Sequence, residues 1–398
     1  MRALFVIASF SLLMLSCKKN QTPATIDVKV GALLSFTGNW STLGKTSDEA
    51  IRLALVNTNA YMETTSSPYR FSLVTYDTKL DTASAIGAIK RADSLGVKFI
   101  IGPQSSAEVA AIKSYADQKG IIVVSQGSTA GNLAINNDAI FRFCPGDALE
   151  GAAMARTIYA SGKTDLITLA RDDAGNKGLQ TSVRTNFLAL GGRVDSLLPY
   201  AASTTNFTSL LAQVKTVLQN KLTTTTADKI AIYLASFDEC VALFKQASAD
   251  PIFSSVRWYG GDGVVLSAAL PADPIAASFA ATTGFIAPNF GLPAVPHPTL
   301  ANIVSFIKSK TGLEPDAYAL AAFDAFAVIA ATVNAFPDAD VSFEKTKNSF
   351  YFEASKYFGI TGPLLLNTAG DRSTGSYDYW GIVIENGVYK WKLVGKSS

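Results

Sequence analysis

Two clusters of hydroxyl residues carry the most specific chemistry in this chain. Ser105 and Ser106 follow the apolar run 97–101 and Gly102-Pro103-Gln104; Ser125 to Thr129 continue the apolar run 121–124. Apolar runs of that length read as strands buried on both faces, and the helical pattern between them makes the segment a parallel βαβ unit. Both clusters then lie at the C-terminal ends of strands, where open α/β sheets bind ligands. Ser106 and Thr129 are each expected to present a hydroxyl and a backbone N–H at a helix start. Such a set suits a carboxylate, and so a small anionic or zwitterionic ligand. The same residue types serve equally as plain helix caps.

The elements that must position these groups alternate along almost the whole chain. Strands are expected over residues 26–34, 71–76, 97–101, 121–124, 166–170, 194–200, 230–234 and 256–259. Helices are expected over 48–59, around Ala85, Ile89 and Ala92, and from Ser106 through Val109, Ile112 and Ala116 to a stop at Gly120. Further helices are expected near 151–159, 179–190, 207–218, 239–247, 300–310 and 318–333, and residues 223–226 read as a polar loop. Residues 288–298 are Pro-rich, and Asn386-Gly387 between alternating apolar residues marks a hairpin. Two successive βα series imply an α/β protein with two doubly wound parallel-sheet lobes.

The chain has 398 residues, 48% of them hydrophobic, and a net charge of +2. That length suggests roughly two domains at about 150 residues each, and the charge gives no reason to expect nucleic acid. Arg2, the apolar run 3–15 and Ser16-Cys17-Lys18-Lys19 have the form of a secretory leader too short to span a bilayer. Residues 13–17 resemble a bacterial lipoprotein signal. Cleavage after residue 16 then leaves Cys17 lipidated, with residues 17–25 as a tether and the membrane contacted through the lipid alone. Beyond the leader no uninterrupted apolar stretch reaches about 18 residues. Cys144 and Cys240 are expected to be buried and free, or paired if the compartment is oxidising.

Enzyme signatures are weak. Gly38 to Thr46 resembles a P-loop, but five residues separate Gly38 and Gly44 where four are required. His297 is the only histidine, between Pro296 and Pro298, and there is no Gly-x-Ser-x-Gly elbow. A single histidine with scattered cysteines excludes the usual zinc clusters. No catalytic residue, metal or cofactor is expected.

The order of motifs resembles the type I periplasmic binding proteins, in their leucine/isoleucine/valine-binding branch. The resemblance is carried by Val28 to Leu33 with Thr37-Gly38 and Gly44, Ile100-Ile101-Gly102-Pro103 with Ser106, and Ser125 with Thr129 and Leu133. It continues through Phe141-Arg142 with Asp147, Gly260-Gly261-Asp262-Gly263, Tyr318 with Phe323-Asp324-Ala325, and Gly359 to Gly362 with Gly370-Asp371-Arg372. It implies three hinge crossings, near 143–145, 284–288 and 358–363, with lobe 1 formed by 26–144 plus 287–360 and lobe 2 by 145–286 plus 361–398. It further implies an amino acid or close analogue as ligand. The carboxylate would lie on Ser106, Ser128 and Thr129, the ammonium on the Gly127 carbonyl and Asp262, and Tyr318 would border the ligand. Asp262 replaces a longer Glu common in the family, or is a turn residue of Gly-Asp-Gly; Tyr318 is a ligand neighbour or core.

Leu43, Gly175-Asn176 and Ser236 or Phe237 stand where the family carries aromatics, implying a roomier pocket. Asp172 and Asp173 are acceptors for a polar ligand side chain or a solvated loop. The resemblance implies a periplasmic or cell-surface protein that delivers its ligand to an ABC transporter permease. The alternatives are a ligand-sensing receptor component and a binder of an amide or urea.

Overall fold

The computed structural model describes residues 25–336 and 341–397. The expected leader, Cys17 and most of the tether lie outside the described residues. Ten strands precede residue 300: β1 Ile26–Leu34, β2 Tyr69–Asp77, β3 Phe99–Ile101, β4 Ile122–Ser125, β5 Ile140–Pro145, β6 Asp165–Ala170, β7 Arg193–Ser196, β8 Ile230–Ala235, β9 Arg257–Gly260 and β10 Ile286–Phe290. They form two sheets. The first runs, edge to edge, Asp371–Arg372, β5, β4, β3, β1, β2, all parallel. The second runs Val388–Lys396, Tyr377–Glu385, β10, β9, β8, β6, β7, and is parallel from β10 onward. Tyr377–Glu385 pairs antiparallel with β10, and Asn386 and Gly387, both with positive φ, make the tight turn of the terminal hairpin.

The chain is thus α/β with two doubly wound lobes; the main core runs from Val30, Phe71 and Phe326 of the first into Leu166, Tyr233 and Tyr259 of the second, whose other face packs separately around Phe244 and Trp258. The helices of the first lobe include α1 Ser41–Thr64, α2 Thr82–Ser94 and α3 Ser106–Lys119; α4 Asp147–Ala160 and α5 Ala174–Ala189 open the second. The α3 helix buries Val109, Ile112 and Ala116 and ends at Gly120, whose φ of 60° is the left-handed value glycine adopts without cost. The expected helix over 48–59 is longer at both ends. Trp40 turns left-handed immediately before it, and Gly44 packs so closely that a Cβ there would lie 1.9 Å from the Ser35 carbonyl oxygen. Cys144 and Cys240 are buried and free.

Among the described residues one helix, Ala317–Asn334, is long and apolar enough to cross a bilayer by length and composition. Asp324 sits in its middle, and most of its residues are buried in the first lobe, with Phe326 edge-on to Phe71. The helix Phe343–Lys356 was not expected at all.

Two crossings fall later than the family resemblance implies. The strand β10 pairs within the second sheet, so the chain leaves that lobe after Phe290. Asp371–Arg372 joins the first sheet beside β5, so the last crossing lies between Arg372 and Tyr377 and residues 361–372 do not belong with the second lobe. The reason is electrostatic. Buried Arg142 on β5 takes both oxygens of Asp371 in a bidentate pair at 2.5 and 2.6 Å, which draws that segment into the first sheet.

Candidate functional site

The strand ends of the two lobes face each other across one cleft. Trp40, Ser105, Ser106, Gly127 and Thr129 line it from the first lobe, and Asp173, Gly175, Asn176, Leu179, Phe237 and Asp262 from the second.

Most of the first wall is tied into one hydrogen-bond network, with Trp40 Nε1 and Glu108 Oε1 left without a partner among the described residues. Ser105, not Ser106, caps α3: its side chain and that of Glu108 form a reciprocal capping box. Ser106 is the first helical residue, and its Oγ accepts the N–H groups of Thr129 and Ala130 at 3.2 and 3.1 Å and the Ser128 hydroxyl at 3.1 Å. Ser128 N–H donates to Ser125 Oγ at 3.1 Å, and that hydroxyl donates to the Pro103 carbonyl at 2.6 Å. Thr129 precedes only a short 3-10 turn, Gly131–Leu133, with no side-chain cap. Of the two N–H groups expected to be free for a carboxylate, that of Thr129 is therefore held by Ser106 Oγ in this closed arrangement. Gly127 leaves no room for a side chain, since a Cβ would lie 2.8 Å from the Gln104 carbonyl oxygen and 3.1 Å from the Trp40 ring.

The second wall is carboxylic and far less satisfied. Asp262 opens a short turn after β9, and burial pushes its carboxyl up to about 6 against the hydrogen bond it accepts from Tyr318 at 2.5 Å. Tyr318 is fully buried on the helix Ala317–Asn334, so this bond joins the lobes; the ring packs on Trp40 and Phe290 and touches Asp262 without lining the cleft. Behind Asp262 lies Glu150 of α4, whose Oε1 accepts the Asp262 N–H at 3.2 Å and whose Oε2 has no partner among the described residues. Burial, then the nearby Asp262 and Asp147, pushes the Glu150 carboxyl well above the usual range. Asp147, also on α4, donates its N–H to the Thr129 carbonyl at 2.9 Å, but its carboxyl oxygens have no well-formed hydrogen bond among the described residues, and burial lifts the carboxyl to about 7 with the Thr129 hydroxyl opposing. The buried hydroxyls of Tyr233 and Tyr377 also have no partner.

Asp172 and Asp173 part company. Asp172 is exposed and paired with Lys177 at 2.6 Å. Asp173 lines the cleft, caps α5 through Asn176 N–H at 2.9 Å and pairs with Arg171 at 3.1 Å.

A latch across the cleft mouth was missed by sequence reasoning. Asn39 Nδ2 donates to Glu239 Oε2 at 2.8 Å, Trp40 N–H to Asp238 Oδ2 at 2.7 Å, and Ala268 N–H to Thr42 Oγ1 at 3.1 Å. The rings of Trp40 and Phe237 meet at 4.9 Å. The signal available was the Gly38 to Thr46 stretch, whose tight turn makes these contacts between the lobes. The implied roomier pocket is not found in this arrangement. Trp40 and Phe237 supply the aromatic bulk absent at Leu43, Gly175 and Ser236, and the closed cleft retains only about 10 Å³, roughly room for one water. A larger groove of about 870 Å³ runs along the outer flank of the second lobe between α4 and the terminal hairpin. It lies away from the cleft-facing strand ends and carries none of the expected site residues.

Comparison with known proteins gives one consistent answer. The receptor family ligand binding region matches residues 46–385. An uncharacterized protein of Methanocaldococcus jannaschii is 26% identical over 410 aligned positions, covering 95% of this chain and 93% of its own. A leucine binding protein of Thermotoga maritima superposes with a TM-score of 0.74 at 22% identity, covering 93% of this chain and 98% of its own. A solute binding protein of an ABC transporter from Rhodopseudomonas palustris, solved with p-hydroxybenzoic acid, gives 0.73 at 14% identity, with 93% and 97% covered.

Proposed function

Because the chain belongs to the receptor ligand-binding-region family and has the type I periplasmic binding protein fold, we propose that it is an extracytoplasmic solute-binding protein whose ligand is an amino acid or close analogue. The ligand is held between the lobes as they close and is passed to an ABC permease; Cys17 tethers the protein to the membrane through its lipid.

One observation carries the choice of ligand. Asp262 brings a carboxylate to the cleft from one lobe opposite the hydroxyls of Ser106 and Thr129 on the other, and no lysine or arginine lines the space between. A ligand with an ammonium and a carboxylate satisfies both walls at once. It gains those contacts together only when the lobes are closed, and this differential affinity drives closure. Opening must first part Trp40 from Phe237, which makes that pair the gate.

The test is a thermal-shift screen of the mature protein with the common amino acids, their counterparts lacking the amine, small amides and urea. A ligand at about 100 times its dissociation constant stabilises by roughly 2.7 kcal/mol, a shift of several degrees. Stabilisation by amino acids supports the proposal. Stabilisation only by acids without an amine, or only by uncharged amides, removes Asp262 from its role.

A further inference from the structure

Glu150 is a carboxyl without a counter-charge. It is fully buried, it does not line the cleft, and one of its oxygens has no partner. The groups that face it come from every element around it: Asp147 on its own helix α4, Asp262 after β9, Tyr233 on β8, Tyr318 on the helix Ala317–Asn334, and Tyr377 and Tyr379 on the strand Tyr377–Glu385. None is a cation. The guanidinium groups that bear on its neighbours are bonded elsewhere, Arg142 to both oxygens of Asp371 and Arg372 to the Thr361 hydroxyl and carbonyl, and Arg156, farther along α4, acts on Tyr379. Two buried hydroxyls, Tyr233 and Tyr377, stand beside the same carboxyls with no partner of their own. Burying an ionised carboxyl without a partner is costly enough that the group holds its proton until a positive charge arrives.

We propose that Glu150 is a positioning residue that makes the cleft select a ligand bearing a protonated amine: seated directly behind Asp262, it loses its proton to solvent when the ligand's cation binds, so that the cation serves two carboxylates. The Glu150 O–H bond breaks, its proton leaves to buffer, and no other bond is made or broken. The inference rests on the amino-acid reading of the cleft. It goes beyond that reading by assigning the preference for an amine over a neutral isostere to a residue outside the ligand's contact, and by tying binding to proton release.

Glu150→Gln tests it, because the amide oxygen still accepts the Asp262 N–H. The probes are the common amino acids and the matched 2-hydroxy acids, titrated calorimetrically between pH 6 and 8 in two buffers of different ionisation enthalpy. Wild type is expected to release protons on binding and to favour each amino acid over its 2-hydroxy partner. In Glu150→Gln the release falls and the preference narrows by about tenfold, the equivalent of one pKa unit of interaction. Equal proton release and an equal preference in the two proteins overturn the inference while leaving the amino-acid reading intact. Failure of every amine-bearing probe to bind folded wild type overturns that reading instead.

A ligand-free measurement stands apart from both. Glu150→Gln should raise the melting temperature more at pH 8 than at pH 5, since the raised carboxyl destabilises the fold only once the unfolded chain ionises. An equal shift at the two pH values overturns the inference.

Discussion

On the first wall of the cleft the polar atoms of Ser105, Ser106, Ser125 and Ser128 are bonded to one another and to backbone groups, whereas on the second Asp147, Glu150, Tyr233 and Tyr377 are buried with polar atoms that have no partner. Both walls are built alike, from strand ends that feed helices or short turns. The difference lies in what each does without a ligand. The first is cross-linked by hydrogen bonds, including Arg142 donating to the Ala130 carbonyl at 2.6 Å, and its one buried carboxyl, Glu108, is bonded within the α3 cap through one oxygen. The second stores unfavourable electrostatics that a positive charge relieves. The contrast assigns shape to one wall and charge selection to the other.

The largest effect should come from removing the charge where the ligand meets it. Asp262→Asn keeps the size of the side chain and should weaken amino-acid binding by about 2–5 kcal/mol, roughly thirty-fold or more. Calorimetric titration of the best amino acid gives the comparison; an unaltered affinity breaks the assignment of charge to this wall.

Next in size, Ser106→Ala strips an acceptor from two buried N–H groups, those of Thr129 and Ala130. It should cost about 1–3 kcal/mol of stability, measured by chemical denaturation. A cost near zero would mean that the first wall is not the tightly bonded one.

A smaller effect follows from pH. Burial raises Asp147 and Asp316 to about 7 and Asp262 to about 6. A carboxyl raised in the fold contributes stability that is complete below its unfolded value and is lost as pH climbs through the folded value. Ligand-free protein should therefore melt lower at pH 8 than at pH 5. Carboxylates held low, such as Asp165, which overcomes partial burial through Arg193 and Lys221, have finished titrating by pH 5 and do not reverse this trend. A flat profile over that window would contradict the stored strain. Bound amino acid should flatten it.

Much of the frame was legible in the sequence, for local reasons. The α3 helix with its Gly120 stop, the strand β1 and the Asn386-Gly387 hairpin each announce themselves within a dozen residues. The helix Phe343–Lys356 was hidden because Lys347 interrupts the apolar spacing of Phe343, Phe350 and Ala354. Its ammonium reaches the Asn137 carbonyl at 3.1 Å and lies 5.3 Å from the centre of the Phe343 ring. Asp371–Arg372 is two residues long and takes its place from a partner, Arg142, 229 positions away.

The site was legible in its members more than in their roles. Ser106, Thr129 and Asp262 do come together, but Ser105 is the cap and Tyr318 touches Asp262 from outside the cleft. Glu150 gave no signal, since an acidic residue in the first turn of a helix is ordinary until its burial is known. The latch depends on which loops of two lobes meet, and spacing along one chain does not encode that.

The most direct test is a crystal structure of the complex with the amino acid that gives the largest thermal shift. The account predicts the ligand's amine within about 3 Å of an Asp262 carboxylate oxygen, with its carboxylate turned toward Ser106 and Thr129. A ligand bound the other way round, or with its amine held by the first lobe alone, would contradict it.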